Sequence, residues 1–149
     1  MPAASVWGPF LWKLLHTFGA ILYDRESKHR KFKRDEDTEA KWILTHIEQI
    51  IPCKECIAHV LAFKQKNPIP SSPAGYAEWI WKCHESVNDK LKKPAGPPLN
   101  DVVSLTGDIS VLWKEYMKCI EDSILQAHVR KIHVIEFQRH VYMWKNYLL

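Results

Sequence analysis

The residues of this chain whose types and spacing could do chemistry lie in the stretch IIPCKECIAHV, residues 50–60. Cys53 and Cys56 stand three apart behind Pro52, and His59 follows three residues after the second cysteine. Two cysteines at i and i+3 of a helix have Cα atoms about 5 Å apart, inside the ~4.4–6.8 Å range that a disulfide accepts. The pair can bridge locally. Pro52 suits the first position of a helix, so the pair is expected in an opening turn near the positive end of the helix dipole. That placement, with Lys54 between the cysteines, favours a thiolate and lowers a cysteine pKa from its usual ~8.5. Such a pair is suited to thiol exchange.

Other chemistries fit less well. A thioredoxin-like motif wants a strand before the pair, and residues 40–51 read as helix. Attachment of a c-type haem needs histidine directly after the second cysteine, where Ile57 stands. Zinc is the serious rival: Cys53, Cys56, His59 and either Cys83 or His84 supply ligands of the right softness, although KCHE offers adjacent residues rather than a second spaced pair. A framework of structural disulfides is disfavoured where a glutathione pool keeps thiols reduced. A redox pair that hands electrons to a bound cofactor is the remaining option, and it requires a place for a flat ring system. Trp12 and His16, four apart, share one helix face, while His84, Val87, Asn88 and Leu91 make another that is part apolar and part hydrogen-bonding. Lys90, Lys92 and Lys93 follow as cations that could meet phosphates.

The elements that must position these residues read as helices. Phe10, Leu11, Leu14, Leu15, Phe18 and Leu22 form one stripe, and Trp42, Ile43, Ile47, Ile50 and Ile51 a second. A third helix is predicted from Pro52 to about Lys66, broken by NPIPSSPAG, and a fourth from about Ala74 to Lys92, stopped by KPAGPP. The tail carries further stripes, among them Ile109, Leu112, Trp113, Tyr116 and Ile120, with no convincing strand anywhere. The fold class expected is all-α.

At 149 residues and 46% hydrophobic the chain suffices for one sizeable core and is short for two domains. Lys13 and His16 interrupt the first apolar stretch, so no signal peptide is read, and no run approaches the ~20 apolar residues of a membrane span. An unexported, cytoplasmic protein is expected. The formal charge of +4 is local, because six Lys/Arg and a single Glu fall in residues 25–34, followed by Asp35, Glu36, Asp37 and Glu39. That swing from basic to acidic reads as a solvated connection, not a nucleic-acid element.

Three segments together, WGPFLWKLLHTF, WILTHIEQIIPCKECIAHV and WIWKCHESVNDKLKKP, resemble the successive motifs of the ERV/ALR family of FAD-dependent sulfhydryl oxidases, over residues 7–94. The tryptophan-glycine-proline start and His59 are most similar to the small members encoded by large cytoplasmic DNA viruses. The resemblance implies a four-helix core (residues 1–98) around FAD, with residues 99–149 as a helical extension packed on the same domain. It implies Cys56 beside the flavin and Cys53 as the sulfur attacked by an incoming thiolate. Gly8, Trp12, His16, His59, His84, Val87, Asn88, Lys90 and Lys93 match cofactor positions, and Trp113 matches a later tryptophan near FAD. The implied activity is thiol oxidation with dioxygen as final acceptor and hydrogen peroxide as product. A protein thiol substrate or separate thiol carrier, and a homodimer, are the implied partners; no metal is implied. The alternative is a non-enzymatic helical zinc-binding module. Two departures stand out: the structural disulfide of cellular members falls on Trp81 and Pro98, and Cys83 and Cys119 are single, so no shuttle pair is present. Each single cysteine reads as a buried or idle thiol.

Overall fold

The computed structural model describes residues 4–27 and 34–148, so residues 28–33 of the basic connection lie outside the described residues. Eight α-helices and a short 3-10 turn, with no strand among the described residues, make the fold all-α as expected. They are α1 (Ala4–Ser27), α2 (Arg34–Thr45), the 3-10 turn (Ile47–Ile50), α3 (Lys54–Lys66), α4 (Ala74–Lys90), α5 (Leu99–Val102), α6 (Ile109–Cys119), α7 (Glu121–Leu125) and α8 (Lys131–Tyr147). None of the helices is long and apolar enough to cross a membrane.

In α1 the buried stripe is Trp7, Leu11, Leu14, Leu15, Phe18 and Leu22. Phe10, expected on that stripe, is 38% exposed, because it falls at the edge of the helix arc that Leu14, Phe18, Leu11 and Leu15 bury. Asp35, Glu36 and Asp37 in the first turn of α2 complement its dipole, and Glu36 is fully buried against the Arg25 guanidinium. Removing either partner of such a pair would strand a buried charge. The second predicted stripe does not run on one helix. Pro52 forces Ile51 into extended backbone (φ −96°, ψ 119°), and α2 gives way to the 3-10 turn that delivers Ile47, Ile50 and Ile51 to the core.

Helices α1 and α4 run antiparallel, since Gly19 meets Ala77 while Trp12 meets His84. A Cβ on Gly19 would lie 3.0 Å from the Ala77 Cα, so glycine suits the close approach of the two backbones, and a side chain here would push α4 back by a few tenths of an ångström. Helix α6 packs on α1, and α8 packs on α2 and the 3-10 turn. Trp113, Tyr116 and Trp144 from these later helices are fully buried, with Trp144 edge-on to Phe18 at 4.6 Å between centroids. One hydrophobic core therefore takes side chains from both ends of the chain. Where the missing staple would fall, the Trp81 indole N–H donates to the Pro97 carbonyl at 2.9 Å, and the Gly96 N–H donates to the Glu85 carboxylate at 3.0 Å. Hydrogen bonds thus hold this connection along α4.

Gly19→Val tests the α1–α4 contact. Better helix propensity would return less than ~1 kcal/mol, whereas overpacking against backbone costs about 1–3 kcal/mol and more for a branched side chain. Thermal unfolding should show a Tm several degrees lower; an unchanged Tm would contradict the close approach.

Candidate active site

Cys53 sits just outside α3, not inside it as the sequence suggested. It is the N-cap, with extended backbone (φ −148°, ψ 116°), and its Sγ accepts the Cys56 N–H at 3.3 Å. Pro52 explains the shift: it holds Ile51 extended, so the chain enters the helix only after Cys53. Both cysteines are half-buried free thiols. The expectation of a lowered pKa does not hold for Cys56. Burial pushes its thiol up to about 12, with Cys53 and then Glu55 adding to the effect and a backbone hydrogen bond opposing it. Desolvation of the sulfur outweighs the helix dipole here.

Cys56 opens onto a cleft of about 500 Å³ framed by α1, α3, α4 and the 3-10 turn. Of the residues singled out from sequence, Gly8, Trp12, Cys56, His59, His84, Val87, Asn88, Lys90 and Lys93 line it. Cys53 does not line it. It stands on the helix cap, and it packs at the edge of the core. The cleft reaches the backbone at Gly8, where an added Cβ would meet no atom within 4 Å. Trp12 and His84 stack face to face, with centroids 4.2 Å apart and planes 10° apart. His16 stands behind this wall rather than in it, its Nε2 2.8 Å from His84 Nδ1. One of the two must donate and the other accept, which requires at least one neutral imidazole.

The electrostatics agree with that requirement. Burial, then the neighbouring His84, lowers the His16 pKa to about 4. Burial also lowers His84, with Lys93 in the same direction and Glu85 opposing, and it lowers His59 with help from Lys90. His59 is 3.1 Å from the Ser86 hydroxyl. Lys90 and Lys93 are exposed and bring the cleft its positive charge.

Trp113 lies elsewhere. It does not line the cleft but is fully buried between α6 and α8, stacked on Phe137 with its indole N–H donating to Gln138 at 2.8 Å. Sequence reasoning in turn missed wall residues: Leu11, Leu15, Ile47 and Ile51, which it had placed on helix stripes, and Trp7, Trp79 and Ile80, to which it gave no individual role. Cys83 is buried as expected, with burial pushing its thiol up to about 12, yet it also faces the cleft. Helical periodicity marks all of these as inward-facing and gives no signal that separates a cleft wall from a packed core. The zinc reading loses its ligands, because no group of three or more His, Cys, Asp or Glu among the described residues could hold a metal ion.

A capped Cys-x-x-C pair beside an apolar, imidazole-lined cleft in an all-α bundle is a redox-type arrangement, and comparison with known proteins defines it further. The Erv1 / Alr family model matches residues 9–106, and the chain belongs to that family. It is similar to the FAD-linked sulfhydryl oxidase ERV1 of Oryza sativa subsp. japonica, with 31% identity over 91 residues, covering 60% of this chain and 44% of that protein. The protein of the same name from Arabidopsis thaliana is 26% identical over 91 residues, with the same coverage of 60% and 44%. The match thus spans less than half the length of these curated relatives. No solved structure gives a significant match. The family match ends before α6, so α6, α7 and α8 lie outside it.

The His16 environment predicts a pH dependence. A histidine whose pKa falls from 6.5 to about 4 on folding leaves the folded chain one proton short of the unfolded chain between those values. Its contribution is therefore complete above pH 6.5 and is lost as pH falls toward 4. Urea unfolding at pH 5 should show about 2 kcal/mol less stability from this group than at pH 7, a dependence that His16→Leu removes. An identical pH slope in that variant would contradict the assignment.

Proposed function

We propose that this chain is an FAD-linked thiol oxidase that makes disulfide bonds in protein substrates through Cys53 and Cys56. The carrying observation is the division of the pair: Cys56 faces the cleft, and Cys53 stands outside it on the cap of α3. The cleft residues fit FAD. The apolar walls and the Trp12–His84 stack suit a flat ring, open space above Gly8 leaves room for it, and Lys90 and Lys93 suit phosphates.

In this reading a substrate thiolate attacks Sγ of Cys53 in the oxidised pair, the Cys53–Cys56 bond breaks, and the electron pair of that bond goes to Cys56. A second substrate thiolate then attacks the substrate sulfur of the mixed disulfide, releasing Cys53 and completing the substrate disulfide. The cycle closes when the Cys53 and Cys56 thiols form their disulfide again, giving up two electrons and two protons; FAD, when bound, would supply the two-electron acceptor, with dioxygen as the final acceptor and hydrogen peroxide as product. Gly8, Trp12, His84, Val87 and Asn88 would hold the ring system, His59 would line it, Lys90 and Lys93 would meet phosphates, and His16 would set the tautomer of His84.

A separate thiol carrier or the protein substrate itself would be the immediate partner, meeting Cys53 at the cap of α3. A homodimer and a cytoplasmic setting complete the proposal, the latter supported by cysteine usage: one Cys-x-x-C and two single residues do not make a disulfide framework. The WGP start and His59 support kinship with the small oxidases of large cytoplasmic DNA viruses.

Purified protein, reconstituted with FAD if necessary, should be yellow and should consume oxygen when given a dithiol. Cys53→Ser and Cys56→Ser should each retain the flavin and lose at least about 100-fold of the uptake, because each removes one sulfur from a two-sulfur exchange. Colourless protein after excess FAD would overturn the proposal. Lys90→Ala with Lys93→Ala should weaken FAD binding about tenfold, with a smaller effect at high salt.

A further inference from the structure

The segment beyond the family match touches the redox pair's approach at one defined point. Tyr116, on α6, is fully buried, and its hydroxyl donates to the Ile50 carbonyl at 2.6 Å. Ile50 is also fully buried and lies three residues before Cys53, separated from it only by Ile51 and Pro52. Both intervening residues are conformationally restricted: Ile51 is extended and Pro52 has a fixed φ. A hold on Ile50 is therefore transmitted to the backbone of Cys53 with few free torsions between. At the other end of that short span, the Cys53 Sγ meets the Cys56 N–H as the cap of α3. Helix α8 packs on the same 3-10 turn that ends at Ile50, which adds a second brace from the same segment.

We propose that Tyr116 is a positioning residue for the Cys53–Cys56 pair, acting through the Ile50 carbonyl to hold Cys53 at the cap of α3. This rests on the reading of the two cysteines as a redox pair. Closing a disulfide requires both sulfurs in one geometry, and its equilibrium against an external thiol depends on how far that geometry is prepaid. With the anchor present, residues 50–53 bring Cys53 to Cys56 with little entropy left to lose. Without it, the span from Ile50 gains freedom that the disulfide must give up again, and the dithiol is favoured.

The test equilibrates full-length protein with mixtures of reduced and oxidised glutathione, in which the pair's dithiol and one oxidised glutathione exchange for the pair's disulfide and two reduced glutathiones. Alkylation and mass measurement then count the reduced form. Tyr116→Phe keeps the ring and removes the donor; it should shift this equilibrium about fivefold toward the dithiol, the change that loss of one hydrogen bond carries. Far-UV circular dichroism checks that it folds, and Tyr116→Met, which fills the space without a donor, serves if the Phe variant does not. Asp108→Ala is the control. It removes the side chain that accepts from the Ser110 and Val111 N–H groups at the start of α6 and leaves Tyr116 in place. The expected result is a shift in Tyr116→Phe and none in Asp108→Ala. An equilibrium within twofold of wild type in the Tyr116 variants overturns the proposal, and so does an equal shift in Asp108→Ala, which would mark general loosening of α6. Because the equilibrium is read on the two sulfurs themselves, a chain that shows the shift but never consumes oxygen with a dithiol would overturn the oxidase reading and leave the anchor standing.

Discussion

The structure depends on how closely α1 and α4 approach. At Gly19 and Ala77 the backbones meet so closely that even a methyl group on Gly19 would lie 3.0 Å from the Ala77 Cα. From that point the antiparallel pair extends toward Trp12 and His84, whose stacked rings form one wall of the cleft. The contact thus does two jobs, closing the core at one end and setting the width of the cleft at the other. It also explains why an imidazole pair is buried where water cannot solvate a charge: His16 reaches His84 only because the helices are this close.

The Cys53–Cys56 pair answers to a different constraint, the passage from the 3-10 turn into α3. Ile51 and Pro52 leave the chain one way to enter the helix, and Cys53 becomes its cap. The helix then carries Cys56 inward by one turn, to a surface apolar enough to push its thiol up to about 12. Two chemically identical residues three apart in sequence end in different environments, one at a helix entrance and one on a cleft wall. The asymmetry needed for directional exchange is therefore a matter of backbone path, not of residue type.

Much of this was legible in the sequence, because amphipathic stripes and proline breaks report helices well. The first, third and fourth predicted helices fall close to their predicted places, and nine of the cofactor positions named from the family motifs lie on the wall of the cleft. What was not legible depended on tertiary context. The stripe through Trp42 and Ile51 looked continuous, yet the chain leaves α2 at Thr45 and continues as a 3-10 turn to Ile50. Dipole reasoning applied to Cys56 omitted the desolvation that only the assembled cleft imposes. Trp113, named from the sequence as a cofactor contact, lies in the core away from the cleft, covered by α8 residues some 25 positions later in sequence.

The central claim is that electrons from thiols reach the cleft through Cys56. The most direct test is anaerobic addition of a dithiol to the FAD-loaded full-length chain while the flavin absorption band is followed. The account predicts rapid bleaching of the wild-type protein and none on that timescale for Cys56→Ala with the same flavin content. Bleaching of the variant at the wild-type rate would show that the electrons bypass the pair, and would contradict the account.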